Sequence, residues 1–110
     1  MPSLRHLAPM LALAGLLCLG TAAAQAADPN LGRNLAATCA NCHGTDGHAQ
    51  PGFAMDSLAG QEKAVLLQKL GGFRDGSRPA TIMHQIVKGY SPEQLDLITG
   101  YLAAQKREGK

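Results

Sequence analysis

The sequence predicts an all-α fold of about four helices, and three observations support that prediction. Apolar residues recur at positions i, i+4 and i+7, which is the spacing of one helix face. Residues that start and end helices flank these stretches, among them a serine–proline start near position 91. No stretch alternates apolar and polar residues long enough to indicate a strand.

The first predicted helix spans about residues 31–40. Asp28 or Asn30 is its expected N-cap, and Leu31 and Leu35 lie on one face. A loop rich in glycine and polar residues follows over 44–60.

The second predicted helix spans about 61–73, where Leu66, Leu70 and Phe73 repeat at helical spacing. The third is short, about 80–88, and is expected to end at Gly89 in a left-handed C-cap.

The fourth predicted helix begins at Ser91, continues to about position 106 and has a clear start signal. Ser91 is a good N-cap, Pro92 suits the first helical position, and Gln94 follows three residues after the cap. Three apolar side chains are expected to face inward from this helix: Leu95, Ile98 and Leu102.

The stretch Cys39-Ala40-Asn41-Cys42-His43 is a CxxCH motif, the pattern by which a c-type haem is attached. Cys39 and Cys42 are spaced to form thioethers with the two vinyl groups of the porphyrin. His43 then provides an axial imidazole for the iron. The motif predicts one covalent haem c and restricts the function to redox or ligand chemistry at iron.

Cysteine pairs with this spacing also occur in redox-active and zinc-binding proteins. A thioredoxin-like redox pair needs a βαβ context, which the helical surroundings of Cys39 and Cys42 do not provide. A zinc site would need four ligands, and only one further cysteine exists in the chain. Haem attachment is therefore the favoured interpretation.

Residues 1–26 have the pattern of a cleaved secretory signal. Arg5 precedes an apolar run over 7–19, and Ala24-Gln25-Ala26 ends in a small-residue cleavage site. The run is short for a membrane span and contains Pro9; an uncleaved anchor is the alternative. We expect a periplasmic protein with no stable membrane insertion.

The expected mature chain, 27–110, is one small monohaem domain. Removing the signal removes Cys18 and Arg5, which leaves two of three cysteines, and nine basic side chains against eight acidic ones. Such a short chain benefits from a cofactor at the centre of its core. The near-neutral charge balance gives no indication of a nucleic-acid partner.

The second axial ligand is expected to be Met83, on the third helix after a loop long enough to pass the haem edge. Met55 and His84 remain as alternatives. Met55 is close in sequence to the motif, and a helical neighbour such as His84 points about 100° away from Met83. His48 lies in a polar loop, where we expect a solvated side chain.

Four segments of the chain resemble class I c-type cytochromes: CANCHGTDG, LAGQ, GGFRDGSRPATIMHQIVKGYS and YLAAQ. The run over 73–91 is most similar to the cytochrome subunit of flavocytochrome c sulfide dehydrogenase. The resemblance implies His43 and Met83 as axial ligands and crossed first and last helices, with Gly32 close to Tyr101. It also implies a proline carbonyl bound to the axial histidine, and Pro51 is the candidate.

The expected function is single-electron transfer, with a sulfide-oxidising flavoprotein subunit as the electron donor that the resemblance suggests. A chain that is not itself catalytic would serve as the haem subunit of such an enzyme. The alternatives are a free carrier between other dehydrogenases and a terminal oxidase, or a gas-binding haem protein. The basic residues over 63–88 are either a solvated surface or a docking rim for an acidic redox partner: Lys63, Lys69, Arg74, Arg78 and Lys88.

Overall fold

The computed structural model describes residues 27–52 and 54–107, so the predicted signal peptide lies outside the described residues. These residues form five α-helices: α1 Leu31–Ala36, α2 Ala40–His43, α3 Lys63–Asp75, α4 Met83–Lys88 and α5 Pro92–Ala103. Two short 3-10 turns, Ala37–Cys39 and Thr45–Gly47, complete the secondary structure. No strand occurs in this part of the chain, which agrees with the all-α prediction.

The first predicted helix is longer than expected and is interrupted by the 3-10 turn Ala37–Cys39. α1 passes through the 3-10 turn directly into α2, so helical structure continues to His43, three residues beyond the predicted end at Ala40. Gly44 ends it with φ +85° and ψ 161°, and a Cβ there would lie 1.7 Å from the carbonyl oxygen of His48. Only glycine fits this turn. The motif Cys39–His43 therefore occupies the last helical turn before the loop.

α3 and α4 are each displaced from the prediction. α3 starts and ends two residues later than expected. Its end is later because Gly71 and Gly72 remain helical and Gly76 forms the left-handed C-cap. α4 begins at Met83, not Ala80, since Ile82 has a non-helical φ of −137°.

The predicted left-handed cap at Gly89 is wrong. Gly89 has φ −76° and ψ −4°, which is right-handed, and its N–H donates to the carbonyl of Ile86 at 3.1 Å. Tyr90 N–H donates to Val87 O at 3.3 Å in the same way. The chain tightens through these two turns towards Ser91, so no reversal of handedness is needed.

α5 begins with the capping box that the sequence predicted. The Ser91 hydroxyl accepts from Gln94 N–H at 3.1 Å, and Ser91 N–H donates to Gln94 Oε1 at 2.9 Å. The helix ends at Ala103, three residues before the predicted end. The three inward apolar side chains of the prediction are all buried: Leu95, Ile98 and Leu102.

α1 packs against α5 more extensively than any other pair of helices in the described chain. Gly32 makes this possible, because a Cβ there would lie 2.8 Å from the carbonyl oxygen of Leu97 and 3.5 Å from Tyr101 Cβ. Tyr101 is therefore close to Gly32, and the backbone of Leu97 is closer still.

The hydrophobic core lies where α5 meets α1, α3 and α4, and its buried members are Ala36, Leu66, Val87, Leu95, Ile98 and Leu102. α3 packs against both α4 and α5. In residues 27–52 and 54–107, no helix is long and apolar enough to cross a membrane.

Candidate haem site

A cleft opens between α2, α3, α4 and α5, and residues of the CxxCH motif form part of its wall. Cys39 is half-buried, Cys42 is exposed, and both line the cleft together with His43. The end of the 3-10 turn and the following α2 thus place both cysteines and the histidine on the wall of one space. This is the arrangement that attachment through two thioethers and one axial histidine requires.

The orientation of His43 is fixed by the backbone of the long loop. Its Nδ1 lies 2.7 Å from the carbonyl oxygen of Asp56. Because a carbonyl can only accept, Nδ1 carries the proton and donates, which leaves the Nε2 lone pair available to a metal.

The carbonyl that His43 Nδ1 contacts is that of Asp56 and not that of Pro51, the candidate that the resemblance implied. The loop closes on Gly47, whose carbonyl accepts from the backbone N–H groups of Leu58 and Ala59 at 2.8 and 3.1 Å. That closure brings Asp56, two residues before Leu58, back to the motif. Pro51 sits instead in an exposed turn beside a separate shallow depression.

The cleft contains about 960 Å³ of space not filled by protein, open solvent at its mouth included. Its lining is predominantly apolar, and α3, α4 and α5 contribute most of it: Leu66, Leu70, Phe73, Ile86, Ile98 and Leu102. A concave space lined mainly by apolar side chains, with a few polar groups among them, is typical of a cofactor site. The residues present fit a large apolar group that is attached through two cysteines and one histidine.

Two methionines and one histidine were the candidates for the second axial position. Met83 and Met55 both line the cleft, whereas His84 does not. His84 faces a shallow depression between α3 and α4, where its Nδ1 is buried without a hydrogen-bond partner among the described residues. Met83 and His84, as helical neighbours, therefore point to different sides of α4, and only Met83 lines the cleft.

His48 is not the solvated side chain that the sequence suggested. Its Nε2 lies 2.8 Å from the carbonyl oxygen of Lys106, and its Nδ1 lies 3.2 Å from that of Thr45. The ring thus joins the turn after the motif to the segment after α5. It does not line the cleft.

The structure also bears on the other readings of the cysteine pair. Burial raises the pKa of the Cys39 thiol above its usual range, against a smaller opposing contribution from a backbone hydrogen bond. Redox-active CxxC pairs depend on a lowered pKa, so this environment does not suit thiol–disulfide exchange. In the described chain, no group of three or more His, Cys, Asp or Glu side chains is placed to hold a metal ion.

Two of the basic residues that the sequence assigned either to a solvated surface or to a docking rim are engaged within the protein. Lys63 forms an ion pair with Asp96 at 2.8 Å, and Arg74 donates to the carbonyls of Val87 and Tyr90. These contacts hold α3 to α5 and to the end of α4, so Lys63 and Arg74 have structural roles.

Sequence reasoning missed three features of the cleft. The Asp56 carbonyl could not be foreseen, because a backbone acceptor leaves no residue-type signal. Lys69 and Arg78 line the cleft as well. The side of α3 on which Lys69 lies was readable, since Lys69 is three residues after Leu66 and four before Phe73 on one helix face, but Arg78 follows the helix and needed the loop geometry.

Several known proteins are similar to this chain, among them two cytochromes and one electron acceptor. Cytochrome c-553 from Nitratidesulfovibrio vulgaris is 31% identical over 91% of this chain and 98% of that protein. The cytochrome subunit of sulfide dehydrogenase from Chlorobaculum tepidum is 36% identical over 79% of this chain and 80% of that protein. A thiosulfate dehydrogenase electron acceptor from Thiomonas intermedia is 33% identical over 68% of this chain and 35% of that protein. No family model matches the chain.

Proposed function

The chain belongs to the class I c-type cytochromes, and from that membership we propose that it carries single electrons through one haem c held between His43 and Met83. Its cofactor is covalently bound haem c, and its role is electron transfer. The observation that carries the proposal is the placement of Cys39, Cys42, His43 and Met83 around one apolar cleft.

The choice of Met83 over Met55 is supported by the contact between His43 and the loop that carries Met55. Asp56 accepts the hydrogen bond from His43, so the loop next to it belongs to the histidine side. Met55 directly precedes Asp56 and is therefore tied to that side. Met83 begins α4, a separate element, and is free of this restraint.

Two strong protein ligands suit outer-sphere electron transfer. When bound, the haem supplies an iron that gains and loses one electron. The imidazole of His43 and the thioether of Met83 would fill both axial positions, which leaves none for oxygen or carbon monoxide. The soft thioether favours the reduced iron. A gas-binding role would require Met83 to be absent or easily displaced.

We propose a sulfide-oxidising flavoprotein subunit as the electron donor. The support is the likeness over 73–91 and the similarity to a protein named as the cytochrome subunit of sulfide dehydrogenase. The second candidate is a free carrier, favoured by the similarity to cytochrome c-553, which the chain matches over nearly its whole length. Both roles use the same haem site and differ in what binds the surface.

Stopped-flow mixing separates these two roles. Oxidised cytochrome is mixed with sulfide in the presence and in the absence of a sulfide-oxidising flavoprotein, and haem reduction is followed by absorbance. The proposal predicts faster reduction with the flavoprotein. Such encounters bury modest areas and depend on attraction between exposed charges. Because salt screens that attraction, the rate should fall as salt is added. Equal rates in both mixtures would assign the chain to general electron transport.

We further propose export to the periplasm with cleavage after Ala26, which makes 27–110 the mature domain. The basis is the signal pattern of residues 1–26. Mass spectrometry of the periplasmic fraction should give a chain that starts at Ala27 and carries one haem through acid denaturation. A chain that retains residues 1–26 would contradict the cleavage.

A further inference from the structure

Two basic side chains, Lys69 and Arg78, line the otherwise apolar haem cleft. They come from different elements, since Lys69 lies on α3 and Arg78 lies in the loop between α3 and α4. One acidic residue, Asp56, lies on the lining as well, and its backbone carbonyl is engaged by His43. A cation at the edge of an apolar space is favourable when an anion pairs with it there.

Arg78 is held in place by two contacts with α3. Its backbone N–H donates to the carbonyl of Gly72 at 2.9 Å. Its guanidinium carbon lies 5.2 Å from the centre of the Phe73 ring, which is within the range of a cation–π contact. Because Phe73 itself lines the cleft, the stacking keeps the guanidinium at the cleft although the side chain is exposed. Arg78 is thus positioned before any ligand is bound.

Lys69 is half-buried and partly engaged. Its Nζ donates to Gln61 Oε1 at 2.9 Å, which uses one of the three hydrogens of the ammonium group. Gln61 in turn donates to the carbonyl of Ser57 at 2.5 Å, so a short chain of hydrogen bonds supports the lysine from the loop side.

We propose that Arg78 and Lys69 bind the two propionate carboxylates of the haem. Haem has two such carboxylates, and the cleft lining offers two cations. Arg78 is suited to a carboxylate because its planar guanidinium can donate two parallel hydrogen bonds. A fixed positive charge beside the haem also favours the reduced iron, which carries less positive charge. The two residues therefore raise the reduction potential. This inference rests on the haem site proposed above.

The test compares Arg78→Gln and Lys69→Gln with Lys88→Gln in the holoprotein. Lys88 is exposed at the end of α4 and does not line the cleft, so its replacement changes the net charge equally without touching the site. We expect Arg78→Gln to lower the midpoint potential more than Lys88→Gln does, and to shift the propionate bending mode in resonance Raman spectra. Lys69→Gln should act in the same direction. Arg78→Lys should recover part of the potential, because it keeps the charge but loses the planar fork.

Equal potentials in the Arg78→Gln and Lys88→Gln proteins, with an unmoved propionate mode, would overturn the proposal. The near-infrared band of methionine bound to ferric iron reports on the axial ligand and not on the propionates. It therefore distinguishes a failure of this proposal from a failure of the proposed ligand set. If the band persists in Arg78→Gln, a failure concerns the propionate contacts alone. A wild-type protein that lacks the band would instead contradict ligation by Met83.

Discussion

The crossing of α1 and α5 and the haem cleft are built in different ways. At the crossing, protein packs directly on protein: Gly32 lets α1 approach the Leu97 carbonyl, and the Tyr101 hydroxyl donates to the Asp46 carboxylate. At the cleft, apolar side chains from three helices face a shared space. Two large apolar residues at its mouth remain well exposed, Ile82 at 50% and Met55 at 38%.

The difference indicates where the fold depends on its cofactor. The crossing brings its own contacts and needs no ligand to complete it. α3 and α4 contribute much of their apolar surface to the cleft, so part of their stabilisation comes from burial against the haem. Loss of haem should therefore loosen α3 and α4 before it loosens the crossing.

The largest effect is expected from removing both attachment points. In the double variant Cys39→Ala and Cys42→Ala, prepared free of haem, no thioether can form and the apolar side chains of the cleft face water. We expect a fall in unfolding free energy that exceeds that of any substitution below, measured by denaturant unfolding. Amide hydrogen exchange should accelerate most in α3 and α4, with protection kept longest in α1 and α5. If hydrogen exchange accelerated equally in all helices, the cleft would not depend on haem more than the crossing does, and the prediction would be wrong.

A smaller effect is expected at the crossing itself. Gly32→Ala places a Cβ 2.8 Å from the Leu97 carbonyl oxygen, and a backbone atom cannot yield without moving a helix. We expect a loss of about 1–3 kcal/mol in unfolding free energy, as for other overpacked sites.

Gly71→Ala is the matched control, because it lies within α3 and a Cβ there would have no neighbour within 4 Å. It should stabilise the protein by about 0.5–1 kcal/mol through helix propensity. Destabilisation by both variants, or by neither, would show that the close approach is not what limits the crossing.

The smallest effect concerns the Tyr101–Asp46 contact. The hydrogen bond to Asp46 is the main reason that the pKa of Tyr101 is raised from its usual value of 10.0, with burial and the Asp46 charge adding to it and Arg33 opposing it. The bond stabilises the fold below about pH 10, and its contribution is lost as the pH rises through the raised pKa. Tyr101→Phe should cost about 1 kcal/mol near neutral pH, because the contact is largely exposed.

Denaturant unfolding at several pH values tests the Tyr101 prediction. The difference between the wild type and Tyr101→Phe should shrink as the pH rises above about 10, because the phenol ionises first in the unfolded chain and then, at its raised pKa, in the folded protein. A difference that stays constant across that range would mean that the stability comes from packing of the ring and not from the hydrogen bond.

The sequence predicted the features that depend on local residue type. The capping box at Ser91, the inward face of α5 and the position of the CxxCH motif all follow from residues close together in the chain. What it did not predict depends on contacts between distant segments. The Asp56 carbonyl reaches His43 because the loop closes on Gly47, and His48 bridges to the Lys106 carbonyl across more than fifty residues. The right-handed Gly89 reflects the tight path into α5, which a glycine alone does not encode.

Identification of the second axial ligand tests the account most directly, and a pair of variants provides it. Met83→Ala should abolish the near-infrared charge-transfer band of methionine bound to ferric iron, lower the midpoint potential and allow carbon monoxide to bind. Met55→Ala, which removes the other methionine of the cleft lining, should leave all three nearly unchanged. If Met55→Ala abolished the band and Met83→Ala preserved it, the proposed ligand set would be wrong.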